Sequence, residues 1–227
     1  VTAIALAAGA GFAILGAAAE RIASVWPPDE ASRRAPGWRT VLMALASGAA
    51  AWAIVARSTL PAWATAVHLV ILALLVLLSA TDLEQRRLPH LLLDPLIVIC
   101  VVFAFVNPAL SLLDAVIGAG AAVALLGGLG LVIRSGVALG DLYLVAPLGL
   151  LLGWPAIFVA IFIAALFVSL SSLVLLLSRR VGLKSYVPFG PFLAAGSVIT
   201  LLRDEQLLGD ATAAAGAFIG LLMGRMY

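Results

Sequence analysis

The stretch Leu77-Leu-Ser-Ala-Thr-Asp-Leu-Glu-Gln-Arg-Arg-Leu-Pro-His-Leu-Leu-Leu-Asp-Pro95 interrupts an otherwise apolar chain with Asp82, Glu84, Arg86, Arg87 and His90. One reading is that a membrane helix ends here and its polar residues meet water. The surrounding sequence fits such a helix. Hydrophobic residues make up 64% of the 227 residues and charged residues 11%, against about 25% charged in an ordinary soluble domain. The mean hydropathy is +1.22. Apolar runs of about twenty residues recur, each enough to cross a hydrocarbon core of roughly 30 Å as a helix. The fold class is therefore all-α, a polytopic transmembrane helical bundle.

Apolar spans fall near 2–26, 39–57, 62–81, 91–106, 109–134, 140–153, 155–178, 188–203 and 207–226, which gives eight or nine membrane helices. The segments 140–153 and 188–203 are short, which suits tilted, re-entrant or protein-buried helices. The opening residues lack a basic leader region, so 2–26 reads as a spanning helix rather than a cleaved signal peptide. The longest polar stretch, Trp26-Pro-Pro-Asp-Glu-Ala-Ser-Arg-Arg-Ala-Pro-Gly-Trp38, is too short for a folded domain. The whole of 1–227 thus reads as a single membrane domain, with 27–38 as a short loop.

Charge sets the orientation. In a nine-span alternation with the N-terminus outside, Arg21, Arg33, Arg34, Arg39, Arg86, Arg87, Arg134, Arg179, Arg180, Lys184 and Arg225 share one side, leaving Arg57 and Arg203 on the other. The richer side is expected to be cytoplasmic. Scattered over short loops, these cations make no nucleic-acid surface. Cys100 is the only cysteine, which excludes an internal disulfide and a cysteine-based zinc cluster.

Most carboxylates sit at helix ends or in loops, among them Glu20, Asp29, Glu30, Asp204, Glu205 and Asp210, where solvation explains them. Asp114 suits a helix cap or the headgroup region. Asp82 and Asp141 differ, since each lies at the edge of a long apolar segment on the same expected side. Pro89 opens the run after Asp82, and proline is tolerated in a first helical turn. Gly136 and Gly140 precede Asp141, and Gly140 permits close approach of a backbone or a substrate. Two carboxylates meeting on one bundle face can activate water, one as base and the other as acid. The same pattern also fits a helix cap, a proton relay or a cation site in a transporter.

At these residues the chain resembles the type IV prepilin peptidases, a family of membrane aspartyl proteases. Ala80-Thr-Asp-Leu-Glu-Gln-Arg-Arg-Leu-Pro-His-Leu-Leu-Leu-Asp-Pro-Leu96 is similar to the segment of the family's first aspartate. Ala138-Leu-Gly-Asp-Leu-Tyr143 resembles its Gly-x-Gly-Asp motif, and Tyr186-Val-Pro-Phe-Gly-Pro-Phe-Leu-Ala-Ala-Gly196 a third segment. The resemblance covers roughly 65–205. It implies a Gly-x-Gly-Asp-type architecture and an endopeptidase that removes the leader of prepilins or pilin-like secretion proteins at the cytoplasmic face of a bacterial inner membrane. By resemblance, Asp82 and Asp141 are the catalytic pair, and Glu84 and Gly140 support them. Pro188, Phe189, Gly190 and Pro191 would form a bend beside the site or simply start a helix. Glu84 is also a better leader contact than the arginines, which would repel a basic leader.

Ala138 stands where the motif's first glycine is usual, and Tyr143 where many members carry lysine. Many members also insert a domain with paired Cys-x-x-Cys motifs after the first helix, where this chain has the 27–38 loop. No metal, cofactor or nucleic acid is expected, and the family's methyltransferase activity has no visible support. The expected partners are a pilin-like substrate and membrane lipid. The rival readings are a non-proteolytic subunit of a membrane complex and a small ion-coupled transporter. His68 reads as a core residue, His90 as solvated or in contact with substrate, and the glycines and alanines of 115–130 as close helix packing.

Overall fold

The computed structural model describes residues 2–26, 32–132, 139–178 and 188–203. Expectations for Asp29, Glu30, Gly136, Ala138, Asp204, Glu205, Asp210, the basic residues of 134 and 179–184, Arg225 and the span 207–226 lie outside them. The described residues form eight helices: α1 (Thr2–Val25), α2 (Trp38–Arg57), α3 (Ala62–Gln85), α4 (His90–Val106), α5 (Leu112–Val132), α6 (Leu139–Leu152), α7 (Ala156–Leu177) and α8 (Gly190–Arg203). No strand occurs among these residues. α1, α2, α3, α5 and α7 are long and apolar enough to cross a membrane, whereas α4, α6 and α8 are shorter apolar helices.

The elements follow the apolar runs, with two informative shifts. α3 continues past residue 81 to Gln85, because Leu83, Glu84 and Gln85 are good helix formers. Asp82 therefore belongs to the helix's last turns rather than to a loop. α5 starts at Leu112 and not at 109, because Ser111 caps it: the Ser111 hydroxyl accepts the Asp114 N–H at 3.1 Å and donates to Asp114 Oδ2 at 2.6 Å. This arrangement ties Asp114 to a helix start.

α1 packs on α2 and α3, α3 on α4, α4 on α6, and α5 on α6 and α7. α6 is the core helix, burying Leu144, Val145, Leu148, Leu151 and Leu152. With 14 residues it is about 21 Å long, and protein rather than lipid surrounds most of it. Small residues let the backbones approach. A Cβ on Gly118 would lie 2.5 Å from the Gly153 carbonyl carbon, and one on Gly149 would lie 2.5 Å from Ala119 Cα, so α5 and α6 touch backbone to backbone. α1 and α2 do the same, since a Cβ on Gly48 would lie 2.8 Å from the Gly9 carbonyl oxygen. Gly120 and Gly128 face open space, so the glycine-rich stretch 115–130 supplies close packing along one face only.

Candidate active site

The site is assembled by the end of one helix and the starts of three others. α3 terminates at Arg86, which adopts the left-handed conformation (φ 56°, ψ 38°) and donates its N–H to the Asp82 carbonyl at 2.9 Å. Three residues on, Pro89 starts α4, its carbonyl accepting the Leu92 and Leu93 N–H groups at 3.0 and 3.1 Å. The chain thus reverses over Arg86–Pro89, about one helical turn after Asp82. α6 begins at Leu139, which puts Asp141 in its first turn, where the helix dipole favours an acidic side chain.

Asp82 and Asp141 are each only 4% exposed, yet both line one cavity of about 640 Å³. Gln85, Arg86, Arg87, Leu88, Pro89, His90, Leu93, Leu139, Gly140, Tyr143 and Trp26 complete its wall. The volume is in the range of small-molecule and cofactor sites. On its other flank Asp82 meets α8. The Gly190 N–H donates to Asp82 Oδ2 at 3.1 Å, so a carboxylate satisfies one of the orphan donors of that helix start. A Cβ at Gly190 would lie 2.7 Å from the same oxygen, so glycine lets the two elements meet.

The Pro-Phe-Gly-Pro segment is a helix start. The Phe189 carbonyl accepts the Phe192 and Leu193 N–H groups at 3.1 and 3.0 Å, and Pro191 occupies the first turn, where its missing N–H is not needed. Pro188, Phe189, Gly190 and Pro191 are absent from the cavity wall; Phe189 packs on the core and Gly190 backs Asp82. Gly140 does line the cavity, but a Cβ there would meet only the Leu88 side chain, nearest at 3.3 Å. Its close approach is to a movable side chain rather than to a backbone.

Glu84 lies away from the cavity. It pairs with Arg34 and with Arg39 (Nη1 to Oε2, 3.4 Å) and faces α1 and α2, a position that does not suit leader contact. His90 lines the cavity, 3.5 Å from Asp94 Oδ1 and edge-on to Tyr143 with ring centroids 5.5 Å apart. Tyr143 therefore supplies an aromatic wall where a lysine was the family expectation. His68 is buried, edge-on to Phe103 at 5.2 Å. Among the described residues no group of three or more His, Cys, Asp or Glu side chains could hold a metal ion.

In the sequence alone Trp26, Gln85 and Arg39 have no part in the site, with Arg39 counting only toward orientation. Gln85 Nε2 donates to the Ala23 carbonyl at 2.9 Å and to the Trp26 carbonyl, tying the end of α3 to the end of α1. The available signal was the charge balance of 20–39 against Glu84, which reads as topology until the helices are paired.

Residues 69–173 match the model of the type IV leader peptidase family. The prepilin leader peptidase/N-methyltransferase of Aeromonas hydrophila is 35% identical over 158 residues, covering 67% of this chain and 54% of that protein. The Burkholderia pseudomallei protein of the same description is 35% identical over 170 residues, 73% of this chain and 55% of its own. That of Bacillus subtilis is 26% identical over 139 residues, 61% and 56%. The chain thus spans about half the length of the curated relatives it matches. No solved structure matches it.

Proposed function

We propose that this chain, which carries a type IV leader peptidase domain over 69–173, is an aspartyl endopeptidase that cleaves the leader from prepilins or pilin-like proteins. One observation carries the reading: Asp82 and Asp141, far apart in sequence and both buried, open into one cavity. Two buried carboxylates are costly in an apolar bundle, and facing a shared cavity they have a use. One carboxylate takes a proton from water as its oxygen attacks the scissile carbonyl carbon. The other, protonated, donates to the carbonyl oxygen. Collapse of the tetrahedral intermediate breaks the C–N bond, and the nitrogen leaves with a proton from the dyad. The products are a carboxylate and a free amine, with no covalent intermediate on the enzyme.

Gly190 supports the pair by holding Asp82 through its N–H, while Gly140 lines the cavity just before Asp141. The Gly-x-Gly-Asp-type architecture and a nine-span topology are part of the same proposal. So is a cytoplasmic-facing site in a bacterial inner membrane, which the excess of arginine and lysine on that side supports. We assign only the peptidase activity, which the family's description names.

The test is cleavage of a pilin-like substrate in membranes by the parent, Asp82→Asn and Asp141→Asn. Each variant is expected to lose at least about 10²–10⁴-fold in rate, the usual worth of a general acid or base, while remaining folded. The parent's rate should fall at both low and high pH, because the pair works with one proton between them. Cleavage surviving in either variant would remove the dyad.

A further inference from the structure

Arg39, in the first turn of α2, reaches across to the end of the helix that carries Asp82. Its Nη2 donates to the Leu83 carbonyl at 2.8 Å, and its Nη1 lies 3.4 Å from Glu84 Oε2. Leu83 and Glu84 are the two residues that follow Asp82. α3 ends at Gln85, so the Leu83 carbonyl is one of the terminal acceptors with no partner within the helix. Arg39 supplies one from outside.

The clamp is itself held. Arg34 pairs with Glu84 from the α1–α2 loop, and its carbonyl accepts from Arg21 Nη1 at 2.6 Å. Glu20, buried at the end of α1, accepts from Thr40 Oγ1 at 2.8 Å and lies 3.9 Å from Arg34 Nη2. A charge that only set topology would stand in water. Arg39 has a side chain 25% exposed and Glu84 one 7% exposed.

We propose that Arg39 is a positioning residue for Asp82: by gripping the Leu83 carbonyl and the Glu84 carboxylate it fixes the last turn of α3 and so aims Asp82 into the cavity. Glu84 is the anchor of that grip. Asp82 is then held from two flanks, directly by Gly190 through its carboxylate and indirectly by Arg39 through the carbonyl of the following residue, Leu83. The inference rests on the reading of Asp82 as catalytic. It differs from that reading in predicting an effect on placement, which is measurable without turnover.

The test compares the parent with Arg39→Met and Arg39→Lys in membranes. Two quantities are followed: cleavage of a pilin-like substrate, and labelling of the Asp82 carboxyl by a hydrophobic carbodiimide, quantified by peptide mass spectrometry. Cys100, fully buried, reports bundle integrity by its lack of reaction with a maleimide. In Arg39→Met, kcat should fall about tenfold or more with KM within about twofold, as for a lost orientation. Asp82 labelling should change about threefold or more, in line with a displaced carboxyl. Arg39→Lys, which keeps a cation and donors but not the planar fork, should lie between Arg39→Met and the parent on both measures. Unchanged Asp82 labelling in Arg39→Met overturns the proposal, and so does a loss expressed in KM alone. If Arg39→Met exposes Cys100, Arg39→Lys is read by the same two criteria. A parent that cleaves nothing removes the proposed activity, while the labelling comparison still decides whether Arg39 places Asp82.

Discussion

At the scale of single residues, contrasting glycines test how the site is built. A Cβ at Gly190 would collide with Asp82 Oδ2, while one at Gly140 would press on Leu88 Cδ1. The first collision falls on a short side chain at the proposed reacting centre, the second on the end of a flexible one. Gly190→Ala is therefore expected to lower cleavage about 100-fold, the scale of a 1 Å misplacement, with little change in thermal stability. Gly140→Ala should stay within about threefold of the parent, since a Leu88 rotamer shift costs of order 1 kcal/mol. Rate and melting measurements on both variants check this, and equal losses would mean that Gly190 does not shape the Asp82 carboxylate. Asp82 and Asp141 stood out in the sequence because acids are conspicuous among apolar residues, whereas the Pro-Phe-Gly-Pro motif stood out only by family resemblance. The role of Arg39 did not, because its partners come from another helix.

At the scale of elements, α6 carries Asp141 and depends on α5 for its place. Gly118 and Gly149 allow backbone contact between them, whereas Gly120, on the same glycine-rich helix as Gly118, faces open space. Gly149→Leu should therefore destabilise the protein by about 1–3 kcal/mol or more through overpacking and lower activity by moving α6. Gly120→Leu should fall within about 0.5 kcal/mol of the parent, as surface changes do. Thermal unfolding in detergent, followed on both variants, separates the two. The sequence placed these elements closely because long apolar runs between proline and glycine breaks leave little choice of boundary. It misjudged the end of α3 and the start of α5 by a few residues, because helix propensity at Leu83–Gln85 and the Ser111–Asp114 cap override the hydropathy edge.

At the scale of the whole molecule, the polar clamp, the cavity and the starts of α4, α6 and α8 gather at one end, with the α2–α3 turn at the other. In a Cys100→Ala background, a cysteine at Ser58 in that turn should react with a membrane-impermeant thiol reagent added to intact cells. A cysteine at exposed Pro36, in the α1–α2 loop, should react only after the membrane is opened. The reverse pattern would turn the protein over and move the proposed site to the outer face. The sequence by itself determined that the chain is a helical, lipid-compatible bundle, because hydrocarbon composition and span length act locally and need no partner. It also marked the two aspartates, since an ionisable group among apolar residues stands out wherever the chain folds. The tertiary structure decided that these acids open into one cavity, that Gly190 rather than a loop backs Asp82, and that Glu84 turns away toward Arg34 and Arg39. Those outcomes depend on which helix ends meet, and helix pairing is set by small-residue contacts and hydrogen bonds between segments distant in sequence.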